Sequence, residues 1–230
     1  MEIIKSPRGN YQEKTLIIGL GHRAQQGKDT AAEHIIKTFG PREEGQWGKY
    51  FPLDIRRYAF ADPLKEEVFD WIQATAFLFE HSEIFEQDVH EPVGGFYTNI
   101  NYSTKEKLAW IEAHKPQVRR ALQIWGTEFR RKQDPDYWVK KTLKRIKEEA
   151  PQVALITDMR FPNEVAVVDV PLKVSRPGFD SGVPLHSSET ELNDYPFEYI
   201  LEATSLQELK DGAETIFVEI LEDKGLLPRK

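Results

Sequence analysis

The chain has no cysteine among its 230 residues. A disulfide framework and a thiolate-held metal are therefore both excluded, and an intracellular, cytoplasmic setting is the expectation. Long hydrophobic runs are missing as well. No segment approaches the ~20 apolar residues of a membrane span, and the opening M-E-I-I-K-S-P-R-G-N has too short an apolar run for a signal peptide, so no membrane partner is expected. There is no internal repeat and no low-complexity tract. Nor is there an excess of positive charge: the net charge of −7 argues against a protein that coats nucleic acid.

What remains is a chain with 40% hydrophobic residues, enough for one α/β domain over residues 1–230 with a mobile insertion at about 81–150. Its charge is uneven. Residues 115–147 hold 11 Lys or Arg against 3 Asp or Glu, a local +8 that leaves −15 for the rest. Either an anion meets this segment or it is a solvated helix face. Val139, Leu143 and Ile146 form one apolar stripe, with Lys140, Lys141, Lys144 and Arg145 outside it, which favours the solvated face.

The most informative stretch is L-I-I-G-L-G-H-R-A-Q-Q-G-K-D-T at residues 16–30. An apolar strand runs into a short polar loop, and Gly27-Lys28-Asp29-Thr30 opens a helix whose Ala31, Ala32, Ile35 and Ile36 recur at helical spacing. A phosphate-binding loop is written this way: small residues let backbone N–H groups curl around the phosphates, and one lysine follows the charge. Lys28 is that lysine. The standard spacing calls for glycine at position 22, where His22 stands, and for Ser or Thr after the lysine, where Asp29 stands. Thr30 is left to supply the Mg²⁺-binding hydroxyl. An ordinary glycine-containing strand-to-helix turn is the plainer alternative.

Further along, residues 55–60 read as a second strand. Asp62 then caps a helix with Pro63 at its first position and Glu66 and Glu67 in its first turn, or serves a substrate. Residues 81–104, with Pro92, Gly94 and Gly95, read as a loop or lid expected to close over nucleotides. Helices follow over residues 105–150, broken near Lys115-Pro116 and Asp134-Pro135. Residues 153–157 form a third strand with Asp158 and Arg160 just beyond it, and Pro162-Asn163-Glu164 begins a brief helix. Strands at 172–175 and 197–201 come next, Arg176 following the first. A closing helix at about 205–221 is capped by Ser205. Strands alternating with helices imply a parallel sheet with helices on both faces.

Ligands in such a sheet sit beyond the carboxyl ends of the strands, where Lys28, Asp62, Asp158, Arg160 and Arg176 fall. A carboxylate after an apolar strand, as at Asp158, suits a second Mg²⁺-organising residue, acting through water; a helix cap or a pair with Arg160 is the local alternative. Phosphoryl transfer also asks for positive charge around the moving group, and residues 116–131 offer Arg119, Arg120, Arg130 and Arg131. Arg120 and Arg131 are 11 residues apart, about three α-turns, so they share a face if the helix continues through Gly126. Trp125, Tyr137 and Trp138 are candidates to meet a base, although rings in such helices more often fill a core.

Several separated segments together resemble the bacteriophage deoxynucleoside monophosphate kinases. They are G-K-D-T at Gly27, F-A-D-P-L-K at Phe60, L-Q-I-W-G-T-E-F-R-R followed by D-P-D-Y-W-V, T-D-M-R-F-P-N-E at Thr157, and H-S-S-E-T before the last strand. They span nearly the whole chain in the family's order. Asp29 fits this family's loop; His22, Gln25 and Gln26 depart from it, since smaller residues are common there. The resemblance implies a P-loop kinase three-layer sandwich with a mobile helical lid and acceptor-binding insertion, and ATP-dependent phosphorylation of a deoxynucleoside 5′-monophosphate for phage DNA synthesis. It implies that Ala24, Gln25, Gln26, Gly27, Lys28, Asp29, Thr30 and Arg176 hold ATP, with Thr30, Asp29 and Asp158 organising Mg²⁺. Lys28, Arg119, Arg120, Arg131 and Asp158 would carry the chemistry. Asp62, Arg119, Arg120, Gly126, Arg131, Trp138, Asp158 and Arg160 would meet the acceptor. A homodimer is compatible with it. The competing readings are a kinase on the same scaffold with another acceptor, such as hydroxymethylated bases in phage DNA or a coenzyme precursor, and a non-catalytic nucleotide-binding regulator.

Overall fold

Leu16, Ile18 and Leu20 alternate along the first apolar run and are all buried, so the segment folds as a strand with one face in the core, β1 (Leu16–Gly21). The computed structural model describes residues 14–21, 23, 25–41, 52–80, 102–179 and 190–227, residues 76–80 by backbone alone. After β1 come α1 (Lys28–Phe39), β2 (Ile55–Tyr58), α2 (Asp62–Glu80), α3 (Thr104–Ala113) and α4 (Lys115–Gln123). A π-helical stretch, Ile124–Arg131, continues α4. Then follow α5 (Tyr137–Glu149), β3 (Val153–Met159), α6 (Pro162–Val165), β4 (Val170–Ser175), β5 (Tyr199–Glu202) and α7 (Leu206–Asp223).

Among the described residues, five strands form one all-parallel sheet in the order β2-β3-β1-β4-β5. From β1 the chain builds β2 and β3 on one side and then crosses to β4 and β5 on the other. The carboxyl end of β1 is thus where the connections diverge, the place at which open α/β sheets hold ligands. Ala31, Ala32, Ile35 and Phe39 of α1 and Leu209, Ala213, Phe217, Ile220 and Leu221 of α7 share one core with Leu16, Ile18 and Leu20. The 3.6-residue period of the helices meets the two-residue period of the strand, and the rings of Phe39 and Phe217 pack edge to face at 4.8 Å. On the other face of β1, a Cβ at Gly19 would stand 2.6 Å from Met159 Sδ. The Met159 side chain therefore lies against the bare backbone of β1, where any Cβ would displace it.

Contacts divide the chain into two compact units, residues 1–57 with 146–230, and residues 58–145. The first carries the sheet, α1, α6 and α7. The second carries α2 to α4, the π-helical stretch and most of α5, around a core of Val68, Phe69, Ile111 and Val118. Here Ser103 and Glu106 form a reciprocal capping box that starts α3. Among the described residues no helix is long and apolar enough to cross a membrane.

Several boundaries differ from the expectation. The second strand ends at Tyr58 because Asp62 turns back: its N–H donates to the Ala59 carbonyl at 3.1 Å, and its Oδ2 accepts the Ala59 N–H at 3.0 Å. Asp62 is therefore the first residue of α2 and clamps the turn before it, rather than capping the helix from outside. The third strand runs on through Met159 and takes in Asp158. Ser205 caps α7 as expected, accepting the Glu208 N–H. The loop or lid expected at residues 81–104 lies outside the described residues up to position 101, and so does most of H-S-S-E-T.

Candidate functional site

Among the described residues between Gly21 and Lys28, the backbone enters the left-handed region at Gln25 (φ 58°) and Gly27 (φ 95°). The positive φ favours glycine at position 27, and a Cβ there would also stand 2.8 Å from Leu209 Cδ2 and displace that side chain. Gly27 is the N-cap of α1 and has no side chain to accept the first-turn amides. A helix start of this kind offers its N–H groups and positive dipole end to an anion. Lys28 is buried, at 6% exposure, and its ammonium donates to the Arg23 backbone carbonyl. The Gln26 side chain is buried too and accepts the Arg176 backbone N–H at 2.6 Å. The loop after β1 and the residue after β4 are thereby joined, bringing together two of the residues expected to hold ATP. The Arg176 guanidinium lies over the Phe179 ring, 5.0 Å from its centroid. His22 and Ala24 lie outside the described residues.

Beside the loop, the pairing of β1 with β3 slips by one residue. Gly19 faces Ile156, but Gly21 faces Met159, so Thr157 and Asp158 stand against Leu20 alone. Such a bulge re-aims side chains at the end of a strand. Thr157, buried, donates its hydroxyl to Asp29 Oδ1 at 2.7 Å. Arg57, at the end of β2, donates to the same oxygen through Nε at 3.2 Å and Nη2 at 3.1 Å. Asp29 therefore ties the first turn of α1 to the carboxyl ends of β2 and β3. Thr30 is the third residue of α1, and Asp158 is half-buried at the end of β3. Arg160 follows that strand, with its backbone N–H held at 2.7 Å by Glu164, a carboxylate only 1% exposed that also accepts the Phe161 N–H. Among the described residues no three His, Asp or Glu side chains gather as a metal cage.

The helical unit holds the other expected residues. Arg119 is exposed on α4, and Arg120 pairs with Glu128 at 3.1 Å. The face expected for Arg120 and Arg131 rested on α-helical turns throughout. Residues 124–131 are instead π-helical, with wider turns closed by i→i+5 bonds, so the three-turn count does not carry to Arg131. Gly126 and Trp138 are brought together: the buried Trp138 indole donates to the Gly126 carbonyl at 3.2 Å. A Cβ at Gly126 would stand 2.8 Å from Leu64 Cδ2, so α2 packs against the π-helical backbone itself. Both residues have evident packing duties.

Two of the basic side chains meet carboxylates of their own unit: Lys141, still 44% exposed as a solvated face requires, and Arg145, which is half-buried. Glu66 receives both terminal nitrogens of Arg145 at 2.7 Å. Glu67 collects Lys141 at 2.6 Å, Tyr137 at 2.7 Å, the Trp125 indole at 2.8 Å and Arg130 at 3.0 Å. Burial pushes the Glu67 carboxyl up, but hydrogen bonds from Lys141, Trp125 and Tyr137 and the charge of Lys141 outweigh it and hold it down at about 2. Glu112 is likewise held at about 2, burial being outweighed by Lys65 and Lys115.

No protein-family model matches this chain, and no curated protein sequence matches it. The site therefore rests on its own geometry. Sequence reasoning missed Arg57, Thr157, Glu164 and Glu67 as organising residues. The carboxyl-end rule could have found Arg57 and Thr157. Nothing local marks Glu67, whose four partners lie 58 to 74 residues away.

Proposed function

We propose that this protein is a P-loop kinase, a three-layer α/β sandwich that transfers the γ-phosphoryl group of ATP to a deoxynucleoside 5′-monophosphate, giving the diphosphate. The observation that carries the reading is the β1–loop–α1 unit: left-handed Gly27, buried Lys28 and an α1 start without a side-chain cap, at the divergence point of a parallel sheet. That combination supports a polyphosphate ligand. The acceptor, and the supply of deoxynucleotides for phage DNA synthesis, rest on the ordered motifs that resemble the phage kinases.

The donor side needs amides and one mobile cation. The first turn of α1 supplies the amides, and Lys28 can exchange the Arg23 carbonyl for phosphate oxygens. A Mg²⁺ ion carried on nucleotide phosphates takes only one or two protein oxygens, and the Thr30 hydroxyl and Asp158 carboxylate are oxygens of the right hardness. Asp29 fits a direct ligand role less well, because its Oδ1 already takes Thr157 and Arg57. When bound, the metal would neutralise charge between the phosphates. On the acceptor side, Arg119, Arg120 and Arg131 are the cations that the resemblance assigns to phosphate, with Asp62, Gly126, Trp138 and Arg160 around the acceptor.

Incubation with γ-labelled ATP, Mg²⁺ and each of several deoxynucleoside monophosphates tests this, with hydroxymethylated DNA in a parallel arm. Label should pass to a diphosphate, and Lys28→Ala should abolish the transfer. Label found only in DNA would replace the acceptor, and nucleotide binding without transfer to any acceptor would favour a regulator.

A further inference from the structure

Arg57 was not among the residues expected to meet the nucleotide, yet it stands at the carboxyl end of β2 and reaches the first turn of α1. Its contact with Asp29 is unusual in form. A guanidinium and a carboxylate commonly pair through two parallel bonds to two oxygens. Here Nε and Nη2 both converge on Oδ1, at 3.2 and 3.1 Å, and that oxygen also accepts the Thr157 hydroxyl. Both side chains are partly exposed, 34% for Arg57 and 63% for Asp29. A partly exposed pair of this kind contributes little to stability, so giving it up for a phosphoryl oxygen costs little.

Charge supplies the second argument. Asp29 sets a negative carboxylate directly after Lys28, at the helix start where a triphosphate would bring several more negative charges. Arg57 offsets that carboxylate, and its planar fork suits phosphoryl oxygens better than a lysine does. Resting on the phosphate-loop reading above, we infer that Arg57 is a further phosphate-binding cation of this site, exchanging Asp29 for terminal phosphoryl oxygens of a nucleoside triphosphate. Thr157 then keeps Asp29 in place when the guanidinium moves.

The test is equilibrium binding of Mg²⁺-ATP and Mg²⁺-ADP by calorimetry to the wild-type protein, Arg57→Gln, Arg57→Lys and Lys28→Ala. Arg57→Gln should weaken ATP by about tenfold or more and ADP far less, since only the triphosphate offers the terminal group. Arg57→Lys keeps the charge and stem, so it guards against a folding defect in the glutamine variant, and it should show the same selective loss in smaller degree. An unchanged ATP-to-ADP ratio in both Arg57 variants, with Lys28→Ala losing both nucleotides, overturns the role of Arg57 while the phosphate loop stands. A wild-type protein that binds neither nucleotide, or a Lys28→Ala variant that binds as tightly as wild type, overturns the loop reading and this inference with it.

Discussion

The side-chain oxygen of Gln26 accepts the backbone N–H of Arg176 at 2.6 Å, with Gln26 9% exposed. One part-buried bond thus joins the loop after β1 to the end of β4, two points 150 residues apart in the chain. Gln26→Leu keeps the bulk and removes the acceptor of this part-buried bond, a loss of about 0.5–1.5 kcal/mol. Urea unfolding should show that loss. A variant as stable as wild type would mean that the loop is held by other contacts.

Gly27 and Gly178 both have positive φ, 95° and 74°, but only Gly27 has a neighbour where a Cβ would go, Leu209 at 2.8 Å. Gly178→Ala should therefore cost only the backbone strain, about 1–2 kcal/mol. Gly27→Ala adds the displacement of Leu209, and it should be the more destabilising of the two in thermal melts while also impairing nucleotide binding. Equal melting temperatures would show that the Leu209 side chain yields without cost.

Close packing of Leu64 on Gly126 makes a coupled pair. Gly126→Ala forces Leu64 Cδ2 away from a position 2.8 Å from the new Cβ, an overpacking cost of about 1–3 kcal/mol. Leu64→Ala alone opens a cavity, yet in the double variant it makes room for the added methyl. A double-mutant cycle should give a favourable coupling of about 0.5 kcal/mol or more. Simple additivity would show that the two residues do not constrain one another.

Glu67 should impose an acid limit on stability. Its carboxyl falls from 4.5 to about 2 on folding. A folded pKa below the unfolded one means that the contribution is complete above about pH 4.5 and is lost as pH falls towards 2. Wild-type stability should drop between pH 7 and pH 3 by more than that of Glu67→Gln, which has no carboxylate to protonate. Glu112 keeps part of the drop in the variant, because it is lowered in the same sense. Parallel pH profiles would show that the four donors around Glu67 do not depend on its charge.

The elements were legible where local chemistry is strong. The apolar run at Leu16, the helical spacing after Lys28, the Ser205 cap and the breaks near Pro116 and Pro135 all mark structure through neighbouring residues alone. Strand ends were less legible. Phe60 is apolar and 1% exposed, so periodicity counts it as strand, but Asp62 folds back on Ala59 and makes a turn of it. The π-helical stretch was not legible at all. Residues 124–131 include Gly126 and Thr127, which weaken an α-helix without marking a π-helical turn, and the wide turn accompanies two contacts from afar, Leu64 against Gly126 and Trp138 on its carbonyl.

By itself the sequence determined the class of the fold and the place of the loop, because strand and helix periods and a Gly-Lys helix start are local properties of the chain. Tertiary structure decided which charges meet. The family resemblance sets Asp29 on the metal side, and folding gives its carboxylate oxygen to Arg57 and Thr157, from two different strands. Glu67 reads as an ordinary helix acid, and folding surrounds it with Trp125, Arg130, Tyr137 and Lys141. Electrostatic partners are chosen by distance in space, which the order of residues along the chain does not encode.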